Sequence, residues 1–119
     1  METTDAIEAL SALAQETRLG IYRLLVQAGP EGLAAGSVAD RLGIVPSSLT
    51  FHLQALERSG LITKRREGRQ LIYAADFASM NALVGYLTEN CCAGSQDCAS
   101  ECAPERLPVK TARKPARAA

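Results

Sequence analysis

The chain has 119 residues, of which 47% are apolar and 22% are charged, and its formal net charge at pH 7 is zero. A chain of this length forms one domain with a modest core, and its apolar content excludes disorder throughout. It has no apolar run long enough to span a bilayer, and its N-terminus, METTDAIEAL, is acidic and unlike a signal peptide. We therefore expect a cytoplasmic protein with no membrane partner.

The zero net charge hides four blocks of alternating sign. Residues 1–40 carry six acidic and two basic side chains, whereas residues 41–75 carry two acidic and six basic ones. Residues 76–102 have four acidic side chains and no Lys or Arg, and residues 103–119 have one acidic and five basic ones. A basic middle segment is typical of a chain that binds a polyanion, although uneven scatter among exposed side chains produces the same blocks.

Apolar spacing, capping residues and Gly or Pro breaks predict five helices and one β-hairpin in the order α-α-α-α-β-β-α. The predicted elements are helices over 5–15, 17–27, 37–43 and 47–58, a hairpin over 61–73 that turns at Glu67-Gly68, and a last helix that follows Asp76 and runs straight into Cys91. The fold class is therefore mainly α with a small β-hairpin. We predict a folded domain over 1–90, a cysteine-rich segment over 91–102 and a disordered basic tail over 103–119, which has three prolines and no periodicity.

The two middle helices have the length and the tight link of a helix-turn-helix. The first of them, 37–43, is predicted to point three apolar side chains inward: Val38, Ala39 and Leu42. The second, 47–58, has a narrow apolar stripe formed by Leu49, Leu53 and Leu56.

The face opposite that stripe carries side chains that suit base edges and phosphates. Its members are Ser47, Ser48, Phe51 and Ala55, with Thr50 and Gln54 beside them. Hydroxyl groups bond to phosphates or bases, a Gln amide suits adenine, and an apolar ring can touch a thymine methyl group. In the alternative interpretation, Ser47 caps the helix and Phe51 fills a surface groove.

The predicted hairpin, TKRREGRQLIY, carries four cations near its tip. They are Lys64, Arg65, Arg66 and Arg69. A run of charge is often a solvated face, but a cationic hairpin directly after a helix-turn-helix favours contact with DNA phosphates. The sequence therefore predicts a winged helix-turn-helix that binds double-stranded DNA.

These segments resemble the ArsR family of metal- and metalloid-responsive winged-helix repressors. The resemblance covers about residues 9–75 and rests on ALAQETRLGIYRLL, VADRLGIVPSSLTFHLQALERSGLI and KRREGRQLIY. It implies a homodimer, built from the first and last helices, on a partly palindromic operator whose major groove holds Ser47, Ser48, Thr50, Phe51 and Gln54. His52 matches the family's HL pair, and we predict for it a partly buried hydrogen-bonding role or a phosphate contact rather than metal ligation.

All four cysteines lie in one short segment, TENCCAGSQDCASEC. Many family members place metal-binding cysteines on the helix before the recognition helix, and others place His and carboxylates on the last helix. Here the first position is AAGSVADRL, without a thiol, and the last helix, DFASMNALVGYLTEN, has no His. Any inducer bound by coordination must therefore use Cys91, Cys92, Cys98 or Cys102.

A thiolate-only donor set selects soft ions, and three converging thiolates suit the pyramidal trivalent metalloids As(III) and Sb(III). Two alternatives stay open: a four-cysteine zinc site, and a redox switch in which Cys92 and Cys98 form a disulfide. The motif YLTENCCAGSQDC is similar to that of an ArsR subgroup in which arsenite binds three cysteines just beyond the last helix. That resemblance implies Cys91, Cys92 and Cys98 as ligands, with Cys102 as a spare thiol or an alternative third ligand.

The resulting hypothesis is a repressor of an arsenic-resistance type operon that leaves its operator when As(III) or Sb(III) binds. The sequence contains no Ser/His/Asp set, phosphate loop or cofactor fingerprint, and the cysteines follow a helix C-terminus, which disfavours the reactive thiolate. We therefore predict no enzymatic activity and no organic cofactor. An architectural DNA-binding protein with an affinity-enhancing tail over 110–117 is a third interpretation.

Overall fold

This computed structural model describes residues 1–91 of the chain. They fold into five α-helices and a three-stranded antiparallel sheet. The elements are α1 Thr3–Leu13, α2 Glu16–Ala28, β1 Leu33–Ala34, α3 Ala35–Leu42, α4 Pro46–Arg58, β2 Ile62–Glu67, β3 Gln70–Ala75 and α5 Phe77–Leu87. One compact unit spans residues 1–87, and a second unit begins at Thr88. The predicted mainly α fold with a small β-hairpin is confirmed.

Strand β1 is an element that the sequence analysis did not predict. It pairs with β3, so that the strand order is β1-β3-β2. Gly32, which precedes β1, has φ +74°, and a Cβ placed there would lie 2.2 Å from the carbonyl oxygen of Tyr73. Glycine is therefore required where the chain enters the sheet. A strand of two residues is too short to show alternation in the sequence, which is why it was missed.

The hairpin turn lies one residue further along the chain than predicted. Glu67 pairs with Gln70, so the two turn residues are Gly68 and Arg69. Gly68 has φ +65°, a conformation that glycine adopts without steric cost.

The core lies between the sheet and helices α2, α3 and α4. Its fully buried side chains are Ile21, Leu25, Val38, Leu53, Leu56 and Leu61. Burying one such side chain contributes about 1.5–3 kcal/mol to folding. The prediction that Leu42 points inward is wrong: Leu42 is 37% exposed at the end of α3, where Gly43, at φ +67°, terminates the helix as expected.

Helix α5 ends earlier than predicted. Asp76 caps its first turn as expected, because the Asp76 Oδ1 atom accepts a hydrogen bond of 3.1 Å from the amide of Ser79. The helix stops at Leu87 and does not run into the cysteines. Asn90 has φ +58°, in the left-handed region, which interrupts a right-handed helix and which Asn tolerates better than most residues.

Candidate nucleic-acid interface

Helix α4 presents one face to the core and the opposite face to solvent. Leu49, Leu53 and Leu56 are at most 2% exposed and fix the rotation of the helix. The polar residues predicted to contact bases, Ser47, Ser48, Thr50 and Gln54, are all exposed. The structure therefore brings the predicted base-contacting side chains onto one accessible helical face.

Neither alternative role for Ser47 and Phe51 is supported by the geometry. Helix α4 begins at Pro46 with Val45 as its N-cap and without a side-chain capping bond, so Ser47 does not cap it. The ring of Phe51 is 62% exposed and does not fill a surface groove. Both side chains are accessible to a ligand.

His52 is half-buried next to this face. Its ring meets the ring of Phe51 edge-on, with centroids 5.8 Å apart and planes at 68°. The buried Nδ1 atom has no hydrogen-bond partner among residues 1–91. A phosphate contact by His52 would therefore have to use Nε2.

The four cations of the wing, β2 to β3, are all exposed but differ in their contacts. The Lys64 Nζ atom lies 3.6 Å from the Glu57 Oε1 atom of α4. Arg65 donates two hydrogen bonds, from Nε to the Glu67 carboxylate at 2.7 Å and from Nη2 to the Glu31 carbonyl at 2.9 Å. For the side chains of Arg66 and Arg69, no hydrogen bond or ion pair to another described residue is present.

Arg58 is a candidate contact that the sequence analysis missed. It is exposed in the last turn of α4, four residues after Gln54 and seven after Phe51. This spacing places it on the same helical face, because residues at i, i+3 and i+7 share one side of an α-helix. The same periodicity could have identified it from the sequence.

A second surface, formed by α1 and α5, is rich in exposed apolar side chains. Ile7 is 56% exposed on α1, and Val84 and Leu87 are 52% and 58% exposed on α5. The two helices are joined by a hydrogen bond of 2.6 Å between the hydroxyl groups of Thr3 and Tyr86.

Of the predicted inducer ligands, only Cys91 lies within the described residues, where its thiol is free and exposed. Cys92, Cys98 and Cys102 lie outside them, as does the predicted disordered tail. Within residues 1–91, no group of three or more His, Cys, Asp or Glu side chains is arranged to hold a metal ion. None of the helices in this part of the chain is long and apolar enough to cross a membrane.

The known proteins to which this chain is similar are helix-turn-helix regulators of transcription. The family profile described as a helix-turn-helix domain matches residues 13–65. The transcriptional activator HlyU of Vibrio cholerae is 31% identical over 91 residues, which cover 76% of this chain and 82% of HlyU. The solved structure of HlyU matches with a TM-score of 0.61, over 77% of this chain and 99% of that chain.

Two further relatives connect the chain with ArsR proteins. A protein of Halobacterium salinarum, named as a candidate arsenical resistance operon repressor ArsR, is 38% identical over 63 residues, which are 53% of this chain and 48% of that protein. A homodimeric winged helix-turn-helix DNA-binding domain from Mycobacterium bovis, described as a candidate ArsR-family regulator, is 29% identical and has a TM-score of 0.58. That match covers 78% of this chain and 86% of the Mycobacterium domain.

Proposed function

The chain belongs to the ArsR family of winged-helix transcriptional regulators, and from this premise we propose that it is a homodimeric repressor which As(III) or Sb(III) releases from operator DNA. The observation that carries the proposal is the confinement of all four thiols to twelve residues, 91–102, directly after the turn that follows α5. Regulators of this kind act in the cytosol, where thiols stay reduced and available to soft ions.

Operator binding is supported by the accessible face of α4 and the cationic wing. The hydroxyl and amide groups on α4 can contact base edges, while the wing cations neutralise phosphates on the flanking backbone. Because a helix-turn-helix dimer places its two recognition helices about one DNA turn apart, the operator would be partly palindromic.

Dimerisation is supported by the apolar side chains exposed on α1 and α5. Ile7, Val84 and Leu87 are each more than half exposed, although they lie on helices whose other faces pack against the core. A second copy of the chain would remove this surface from water. Gly85 follows Val84 on α5, and a Cβ there would meet nothing within 4 Å, so a partner helix could approach closely at this position.

The inducer site is proposed at Cys91, Cys92 and Cys98, with Cys102 as an alternative third ligand. Helical geometry would separate the side chains of adjacent cysteines by about 100°, which makes them a poor pair of ligands. Helix α5 ends at Leu87, and the backbone turns at Asn90, so Cys91 is not held in that helix. Three thiols can then displace three hydroxyl groups of arsenous acid as water and form three As–S bonds.

Release would follow from the position of the site in the chain. Cys91 follows the last residue of α5 by four positions, and α5 is the proposed dimer helix. Ordering the cysteine segment around the metalloid would change the geometry of this helix and so the spacing of the two recognition helices. A coupling free energy of about 1–3 kcal/mol would weaken operator binding about 5–150-fold.

The test is a titration of the protein bound to a duplex selected by the purified chain from a randomised pool. We expect arsenite and antimonite to release the wild-type protein, and Cys92→Ser to bind DNA normally without being released. Cys102→Ser is the matched control and should be released like the wild type. Release by zinc alone, or by peroxide alone, would replace this proposal with a zinc-responsive or redox-sensing repressor.

A further inference from the structure

The wing cations differ in what they already bind. Arg65 is held at two points: by the Glu67 carboxylate, two residues away, and by the Glu31 carbonyl, 34 residues away in sequence. Arg66 and Arg69 are exposed and, within residues 1–91, have no such partner. We infer that Arg65 is a positioning residue that fixes the wing to the segment before β1, and that Arg66 and Arg69 are the arginines of the wing that bind DNA phosphates.

The register of the sheet explains how Arg65 reaches Glu31. Arg65 on β2 pairs with Ile72 on β3, and Ile72 pairs with Ala34 on β1. Directly paired residues share one face of a sheet, so these three side chains form a single row across all three strands. The Arg65 guanidinium lies at the β2 end of this row and donates a hydrogen bond to the carbonyl of Glu31, which precedes Gly32 and β1. Arg65 therefore connects the outer strand of the wing to the far edge of the sheet.

The segment that Arg65 contacts is itself fixed in position. Gly32 lies so close to β3 that no side chain fits between it and the Tyr73 carbonyl. The Gly32 amide also donates a hydrogen bond of 3.1 Å to the carbonyl of Gly29. The hydrogen bond from Arg65 therefore joins β2 to a segment that is packed closely against β3.

Charge compensation separates Arg65 from the other two arginines. The Glu67 carboxylate lies 2.7 Å from Nε, so the Arg65 guanidinium already has an anionic partner. A phosphate that binds Arg65 would have to displace that carboxylate. Because the displaced carboxylate attracts cations from solution, fewer counterions would be released in total than when an unpaired arginine binds the phosphate. Arg66 points to the opposite face of β2 from Arg65, and Arg69 lies in the turn at the tip of the wing. Both can bind phosphate without breaking an existing contact.

The test is the salt dependence of binding to a selected duplex of about 30 base pairs, long enough for two half-sites. For Arg66→Gln and for Arg69→Gln, the slope of log K against log salt should become shallower by about 0.9 for each phosphate that the variant no longer binds, or about 1.8 for a dimer. For Arg65→Gln, the slope should stay at the wild-type value while affinity falls roughly two- to tenfold at every salt concentration. That is the size expected for losing the hydrogen bond to Glu31, which is the contact that leaves the hairpin. Arg23→Gln removes an exposed cation from α2, outside the wing, and should change neither quantity.

A second measurement, made without DNA, tests the positioning role directly. Arg65→Gln should accelerate amide hydrogen exchange in residues 32–34 and 71–74, whereas Arg66→Gln should leave it unchanged, because of these two side chains it is Arg65 that contacts the segment before β1. The inference is overturned if Arg65→Gln flattens the salt slope as much as Arg66→Gln, or if neither Arg66→Gln nor Arg69→Gln changes it. If Arg65→Gln fails to fold, Arg65 is essential for the fold, and the salt slopes of Arg66→Gln and Arg69→Gln then test whether these two arginines bind phosphates. Every readout concerns DNA binding or the free protein, so failure of the inducer proposal would leave this inference intact.

Discussion

The hydroxyl groups of Thr3 and Tyr86 lie 2.6 Å apart and join the start of α1 to the last turn of α5 across 83 residues of sequence. Helices α1 and α5 both expose apolar side chains, and this hydrogen bond fixes their ends relative to each other. The geometry of the proposed dimer surface therefore depends on a polar contact at its edge.

Removing this hydrogen bond should cost little stability but should show coupling between the two residues. We expect Tyr86→Phe and Thr3→Val each to lower the free energy of unfolding by about 0.5–1 kcal/mol, because the contact is exposed to solvent. In a double-mutant cycle followed by urea denaturation at one fixed protein concentration, the coupling energy should be about 0.5 kcal/mol or more. Additive effects of the two substitutions would show that the hydroxyl groups do not stabilise each other.

The hydroxyl group of Tyr22 is buried without a hydrogen-bond partner among the described residues. Burial, and the nearby negative charge of Asp76, raise the pKa of Tyr22 above its ordinary value of 10.0. The folded state therefore favours the neutral phenol, so this group's contribution to stability is fully present below pH 10 and is lost as the pH rises beyond it.

Tyr22→Phe should leave the free energy of unfolding unchanged or raise it by about 1 kcal/mol, since an unpaired buried hydroxyl is itself unfavourable. It should also reduce the loss of stability between pH 9.5 and 11 (roughly the range in which an unfolded tyrosine ionises), as measured by thermal unfolding. Tyr86→Phe is the contrasting control, because it removes a tyrosine hydroxyl that has a hydrogen-bond partner and should therefore lower stability at neutral pH. A marked destabilisation by Tyr22→Phe at neutral pH would mean that the hydroxyl has a partner in solution.

Gly32 should be far less tolerant of a side chain than Gly43, although both have positive φ angles. At Gly43, where φ is +67° and nothing lies within 4 Å of an added Cβ, alanine should cost only the backbone strain of about 1–2 kcal/mol. At Gly32, alanine would also collide with the Tyr73 carbonyl and separate β1 from β3. Urea denaturation should therefore rank Gly32→Ala clearly below Gly43→Ala in stability, and equal losses would contradict the close approach of the strands.

The sequence was sufficient for the features that repeat locally and insufficient for those that depend on distant contacts. The leucine stripe of α4 has a helical period, so both the helix and its exposed face could be predicted. The two-residue β1 has no period of its own and exists only because β3 passes beside it. Likewise, the sequence shows Arg65 and Arg66 as equivalent neighbours, and only the contact with Glu31 distinguishes them.

Phe51 offers a direct separation of stability from DNA binding. Its ring is 62% exposed on the face of α4 that carries the polar residues, so Phe51→Ala should change the free energy of unfolding by no more than about 0.5 kcal/mol. The same variant should bind the selected duplex more weakly, by up to about 3 kcal/mol if the ring is buried against a thymine methyl group. Leu53→Ala, two residues away on the buried face, is the matched control and should destabilise the fold by about 2–5 kcal/mol. Urea unfolding curves measure the stability of both variants, and fluorescence anisotropy measures their affinity for the duplex. If the folded Phe51→Ala protein binds DNA as tightly as the wild type, Phe51 does not contact DNA.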